Sequence, residues 1–266
     1  MIDHAEGSTA VGPRGTGYDG TAARVYDQVY SGRAQRWAPL IQAFHEADRP
    51  ARIPSTIVDL CCGNGQLLRH FLGQGYRAYG VDGSPDMLDQ ARKNLRHVDP
   101  DRFDLVEADV SRFRPPPGLS AGLVVSTVDA LNHLAGPDAL RECIDTVAAL
   151  LVPGGHFIFD LLTETGLVDA NQVGATVMPD SAVISRGLYL PEESRSYTRT
   201  TGFLRRKDGL YERFDLNAVR YAFVPEQVEQ DLLDAGFRQV HQAHVEDLAT
   251  PAAGRHTDRV FLVARR

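Results

Sequence analysis

From Pro54 onward, short apolar, β-rich runs alternate with segments whose apolar residues recur every three to four positions. The runs at 56–60, 77–81, 103–107, 123–126 and 156–161 predict strands. Residues 65–72, 85–96 and 138–151 predict the helices between them. Such alternation builds a parallel sheet with crossover helices. Local punctuation agrees with it: Ser84 before Pro85 is an N-cap followed by proline at the first helical position. Pro153-Gly154-Gly155 is expected to stop the third helix before the fifth strand.

The two ends of the chain read differently. Residues 1–17 are small, polar and Gly-rich, too poor in apolar side chains to offset ordering entropy, and predict a flexible tail. From Tyr18, apolar positions at Ala22, Val25, Tyr26 and Val29, and again at Trp37, Leu40, Ile41 and Phe44 after the Ser31–Gly32 break, predict two helices within 18–50. Beyond Leu162 the alternation fails. Segments 182–190, 194–205 and 211–223 are rich in β-branched and aromatic residues, with turns at Pro191-Glu192-Glu193 and Lys207-Asp208-Gly209, and predict an antiparallel meander inside an insert spanning 165–224. A helix over 225–235 and strands over 237–244 and 259–264 then complete a seven-stranded, doubly wound α/β sheet, one domain over 18–266.

Composition narrows the function. The 266 residues carry 35 acidic and 28 basic side chains, a formal charge of −7, which offers no global field for a polyanion and argues against nucleic acid. Three cysteines, Cys61, Cys62 and Cys143, neither staple a chain of this size nor show zinc-site spacing, so a reducing compartment is expected. The N-terminus lacks an apolar targeting core and no run approaches 18 apolar residues, so a soluble, cytoplasmic protein without a membrane partner is expected.

The densest chemistry lies in Ile57-Val58-Asp59-Leu60-Cys61-Cys62-Gly63-Asn64-Gly65. Here a buried strand ends in a Gly-rich turn that opens a helix, so that backbone can approach a ligand closely. Leu68 replaces the third glycine of the dinucleotide fingerprint and Asp59 sits inside the strand end, which favours a cofactor without phosphates. Asp82, roughly 20 residues further on at the end of strand two, is spaced to accept from a ribose diol. Asp109 follows strand three, where an exocyclic amine could donate to it. Any one of these acids could be an ordinary turn residue; three at the ends of consecutive strands beside a glycine turn point to one site.

These motifs resemble those of the class I S-adenosylmethionine-dependent methyltransferases, which have a Rossmann-like sheet. The resemblance runs from about Tyr18 to the C-terminus. Asp59, Cys61, Gly63 and Gly65 resemble the motif whose turn holds the methionine part of the cofactor; Asp82, Gly83 and Met87 the one that takes ribose and packs adenine; Asp109 and Val110 the adenine-edge motif. Ser126-Thr127-Val128-Asp129-Ala130-Leu131-Asn132-His133-Leu134 resembles the strand-four motif of the small-molecule branch, and Leu151-Val152-Pro153-Gly154-Gly155 the turn before strand five. Tyr26-Asp27-Gln28-Val29-Tyr30 and the β insert resemble the glycine and sugar-amine N-methyltransferases, whose N-terminal helix is a lid and whose insert walls the acceptor pocket. The resemblance implies S-adenosylmethionine as cofactor, S-adenosylhomocysteine as product and a small-molecule acceptor. A homo-oligomer is compatible with it. The N-P-P-Y type motif of nucleobase and protein-amide methyltransferases is missing from the end of strand four.

Position within these elements, together with the resemblance, suggests roles. His133, just past strand four, is the candidate base or acceptor-orienting group, with Tyr18 as a second catalytic candidate. Tyr26, Tyr30 and Arg33 are expected to reach the cofactor from the lid, and Ser126 from strand four. Asp129 and Asp160 are expected at the acceptor, as are Arg195, Tyr197, Arg199 and Arg213; with Arg220 these arginines would suit an acceptor carrying a carboxylate or phosphate. For Tyr26 a core stripe competes with the functional reading, and for the arginines a solvated strand face does. Two rival functions stay open at this level: a nicotinamide-dependent oxidoreductase and a non-catalytic cofactor-binding scaffold.

Overall fold

The computed structural model describes residues 20–26, 32–47, 49, 52–252 and 258–266; the expected tail, Tyr18 and Tyr30 lie outside them. Strands β1 (Thr56–Leu60), β2 (Arg77–Asp82), β3 (Phe103–Glu107), β4 (Ala121–Ser126) and β5 (Leu151–Leu162) form a parallel sheet. Along its edge β11 (Arg259–Arg265) runs antiparallel to β5, and β10 (Gln239–Ala243) antiparallel to β11. The order is β10-β11-β5-β4-β1-β2-β3. Strand order reverses between β1 and β4, so a crevice opens at their carboxyl ends, the usual ligand position in such sheets.

Buried parallel strands are apolar on both faces, and β4 is buried throughout. One core cluster joins Ile57, Leu123, Val125 and Ile158 to Trp37 and Ile41 of α2 (Gly32–Ala47) and to Leu67, Leu68 and Phe71 of α3 (Gln66–Gly73). The other joins Val58, Val124, Phe157 and Phe159 to α5 (Pro137–Leu150) and α7 (Pro225–Asp234). Helix α4 (Pro85–Asn94) has the expected cap, with Ser84 Oγ accepting from the Met87 amide at 3.2 Å. At the base of the first cluster, His45 and His156 face each other at 2.9 Å between Nδ1 atoms, both fully buried, so one ring donates and the other accepts.

Two boundaries differ from expectation. Helix α5 ends at Leu150, and β5 starts at once, carrying Pro153-Gly154-Gly155 inside the strand; a register shift against β4 between Ala121 and Leu123 absorbs the irregularity. The insert has four strands rather than three: β6 (Val173–Met178), β7 (Ser181–Leu190), β8 (Arg195–Arg205) and β9 (Tyr211–Tyr221), antiparallel in that order, after a short α6 (Glu164–Asp169). Strand β6 is exposed on both faces, so it has none of the in–out alternation by which strands are read. Val25 of α1 (Gly20–Val25) packs on Val183, Leu204 and Phe214, which marks the inner face of this second sheet.

Candidate active site

The turn after β1 is built from left-handed residues. Cys61, Gly63 and Gly65 have φ of 59°, 55° and 74°. A Cβ at 63 would meet the flexible end of Met87, Cε, at 3.0 Å and lie 3.8 Å from Tyr26 Cε1, so it is the left-handed backbone that favours glycine there. Bare backbone is therefore framed by an apolar side chain from α4 and by Tyr26 just after α1, a cradle that a side chain would fill. Gly65 caps α3, and a Cβ there would press on Ala91 at 3.1 Å.

Asp82 organises this turn. Its Oδ2 accepts from the Gly63 amide and its Oδ1 from the Ser84 amide, each at 2.8 Å. Each oxygen keeps a further lone pair for a ligand hydroxyl. Burial raises its pKa, and the two amides work against that rise. Asp59 behind it is pushed well above the ordinary carboxylate range by burial and then by Asp82, so the negative charge settles on Asp82. Burial also pushes the Cys61 and Cys62 thiols far up, which leaves them un-ionised and unreactive. At the third strand end, Asp109 is exposed and its Oδ1 accepts from the Ser111 amide and hydroxyl, while Val110 is buried beside it. Gly83 is exposed at the same edge. Asp59, Gly63, Gly65, Asp82, Met87 and Tyr26 are thus brought together. Arg33 stands exposed on the first turn of α2, where the structure shows no contact with them.

The loop after β4 lies at the same carboxyl edge of the sheet, beside the turn after β1. Val128 and Asp129 are both left-handed, at φ 67° and 50°, an arrangement that costs about 1–3 kcal/mol per residue and that valine tolerates poorly. Asp160 holds it by accepting from the Val128 and Asp129 amides at 2.6 and 2.9 Å. Arg259 bridges the Asp160 carboxylate and Asp129 Oδ1, the latter at 2.7 Å, with its guanidinium 5.4 Å from the Trp37 ring centroid. Arg220 reaches Asp129 Oδ2 at 3.0 Å. Burial pushes the Asp129 carboxyl up, but the two guanidiniums outweigh it and hold the group below the usual range. The following 3-10 turn, Ala130–His133, is pinned by Asn132, which donates to Leu162 and Tyr221 carbonyls and accepts from the Leu162 amide. His133 Nδ1 lies 3.1 Å from the Val219 carbonyl.

Several expected contacts are corrected. Asp160 is fully buried, and Asp129 nearly so; both are committed to the loop clamp, not to an acceptor. The Ser126 hydroxyl, also fully buried, donates to the Leu60 carbonyl and ties β4 to β1. Arg199 and Arg213 both pair with Asp215, and Tyr197 donates to Glu193, on the outer face of the second sheet; Arg195 donates to the Ala135 carbonyl. The inner face is the one that meets α1, so these four side chains point away from the cofactor turn. Arg213 and Arg220 are seven residues apart on one strand and therefore face opposite ways. Arg220 is the inward one, and its parity relative to Phe214 is the signal that could have separated it.

The Methyltransferase domain family matches residues 57–155. YqeM of Bacillus subtilis (strain 168), whose own assignment as a methyltransferase is provisional, is 25% identical over 94% of this chain and 97% of its own length. The dTDP-3-amino-3,4,6-trideoxy-alpha-D-glucopyranose N,N-dimethyltransferase of Streptomyces venezuelae is 34% identical over 54% of this chain and 58% of its own. Among solved structures, an S-adenosylmethionine-dependent methyltransferase from Clostridium acetobutylicum ATCC 824 superposes with a TM-score of 0.77 at 20% identity, covering 92% of this chain and 97% of that one. Residues 57–155 therefore match a methyltransferase domain, and the chain has the Rossmann-like fold of the S-adenosylmethionine-dependent methyltransferases.

Proposed function

We propose that the protein moves the methyl group of S-adenosylmethionine to the nitrogen of a small amino compound, an amino sugar or related secondary metabolite, in the cytoplasm. Asp82 would take the ribose, Met87, Val110 and Asp109 the adenine, and Gly63, Gly65 and Tyr26 the methionine end. The sulfonium supplies an electrophilic methyl group. The chain's task is to line up the acceptor and exclude water.

The observation that carries the choice of nitrogen is the state of His133. A carbonyl can only accept, so Nδ1 carries the proton donated to Val219 and Nε2 is left as the acceptor. Burial and then the Arg220 guanidinium lower the imidazole to about 4, against the pull of Asp129. A neutral ring of this kind presents Nε2 as an acceptor only. It suits an amine, whose neutral form needs only an acceptor to aim its lone pair. The surroundings of the site support a small acceptor: Tyr26 approaches Gly63 just after α1, α1 packs on the inner face of the second sheet, and Arg220 of that face meets Asp129 in the loop after β4. The Streptomyces venezuelae relative acts, by its name, on a sugar amine. Among the described residues no helix is long and apolar enough to cross a membrane.

The test is methyl transfer from labelled S-adenosylmethionine to panels of amines, amino sugars, phenols and carboxylic acids, beside tRNA and a protein lysate. Turnover is expected in the amine panels. Label confined to phenols, or to the macromolecules, overturns the reading.

A further inference from the structure

The ion pair between Arg220 and Asp129 crosses from the second sheet to the loop after β4. Arg220 stands on the inner face of β9 with its side chain only 18% exposed, and Asp129 is 7% exposed. Its Nη1 is anchored within the same sheet by Thr198 Oγ1 at 3.3 Å. The Nε that faces the carboxylate is buried and makes no well-aligned hydrogen bond, so the contact acts chiefly through charge. The preceding residue, Val219, provides the carbonyl that takes the His133 proton. One stretch of β9 therefore grips the loop twice, once through Asp129 and once through the imidazole.

We propose that Arg220 is a positioning residue: by docking β9 onto Asp129 it sets the distance between the Val219 carbonyl and His133, and so fixes the tautomer that leaves Nε2 open to the acceptor. The assignment deepens the reading of His133 given above and rests on it for its catalytic meaning. The charges around the ring are consistent with it. From β9, Arg220 opposes a second positive charge on the imidazole; from the loop itself, Asp129 favours one; Arg259 of β11 occupies the other oxygen of Asp129, and Asp160 of β5 pairs with Arg259 behind it. From β8, Arg195 reaches only the Ala135 carbonyl beyond the turn. Removing Arg220 takes away the positive neighbour and the tether together. Asp129 would then be free to draw a proton onto the ring.

The experiment needs no acceptor, so it is independent of the methyl-transfer assay. Imidazole ¹⁵N–¹H spectra of the full-length protein, with His133→Gln to assign the signal, report both tautomer and titration. In the wild type, Nδ1 is expected to carry the proton and the ring to stay neutral through pH 5.5. Arg220→Gln should raise the midpoint by about one pH unit and mix the two tautomers, and Arg220→Lys, which keeps the charge, should restore the midpoint. If Arg220→Gln does not fold, Thr198→Ala loosens the same arginine and is expected to shift the midpoint in the same direction. A wild-type ring with its proton on Nε2, or the same titration with and without Arg220, overturns the proposal. Methyl transfer that fails on every amine would count against the proposed function and leave these spectra unaffected.

Discussion

The two sheets show how differently ligand sites can be built. At the carboxyl edge of the parallel sheet, backbone does most of the work: left-handed Cys61, Gly63 and Gly65 open the turn, and Asp82 holds it through two amides. The second sheet has one side facing solvent and one side meeting α1 and the loop after β4, and its contribution comes from side chains whose direction alternates at every residue. Four of its polar residues expected at the acceptor are on the solvent side, and Arg220, from the same strand as Arg213, is on the other. A site at a strand end is therefore set by position in the chain, and a site on a strand face by parity.

The sharpest way to test this contrast is at the loop both sheets share. His133→Ala should lower kcat by about 10²-fold through loss of acceptor alignment. The same residue should leave kcat/KM without a titrating limb between pH 5.5 and 8, because the ring is already neutral there. A loss confined to KM would make it a binding residue only.

Next in size is Asp82→Ala, which removes a charged acceptor from both the ligand and the Gly63 amide. S-adenosylhomocysteine should bind at least about 2 kcal/mol more weakly by calorimetry. Wild-type affinity in the variant would show that the turn, and not the acid, carries the cofactor.

A stability effect of similar size is expected away from the site. Burial, then His156 and Arg49, depress His45 to about 3. The unfolded chain binds that proton with a pKa near 6.5, so stability is full above 6.5 and falls as the pH drops towards 3. Between pH 7.5 and 5 the wild type should lose about 2 kcal/mol more in urea unfolding than His45→Gln does. Equal losses would show that the pair is not buried as described.

The smallest effect sharpens the comparison most. Arg199→Ala and Arg213→Ala remove exposed ion pairs with Asp215 on the outer face, where solvent screening leaves such pairs little to contribute. Both should leave kcat and KM within about twofold, the scale of that small term. A tenfold rise in KM in either would return the outer face to the acceptor site.

Much of the parallel sheet was legible in the sequence. Five apolar runs, a Ser-Pro cap and acids at strand ends are local signals, and a fully buried strand reads the same whichever way it faces. The sequence by itself therefore determined the doubly wound order, the glycine turn and the place of Asp82. Strand β6 escaped because its residues are exposed on both faces, and the start of β5 because Pro153-Gly154-Gly155 reads as a break. What only the tertiary structure decided is which face of the second sheet looks inward. Strand β8 carries Ser196, Thr198 and Thr200 on one side and Arg195, Tyr197 and Arg199 on the other, so neither parity is plainly apolar and the pattern has no preferred face. The choice is made by Val25 packing on Phe214 and by Arg220 meeting Asp129, contacts between segments far apart in the chain. The clamp of Asp160 and Arg259 on the loop after β4 is of the same kind: each residue taken alone is an ordinary charge, and only the fold brings them close enough to hold two residues in a backbone conformation they would otherwise avoid.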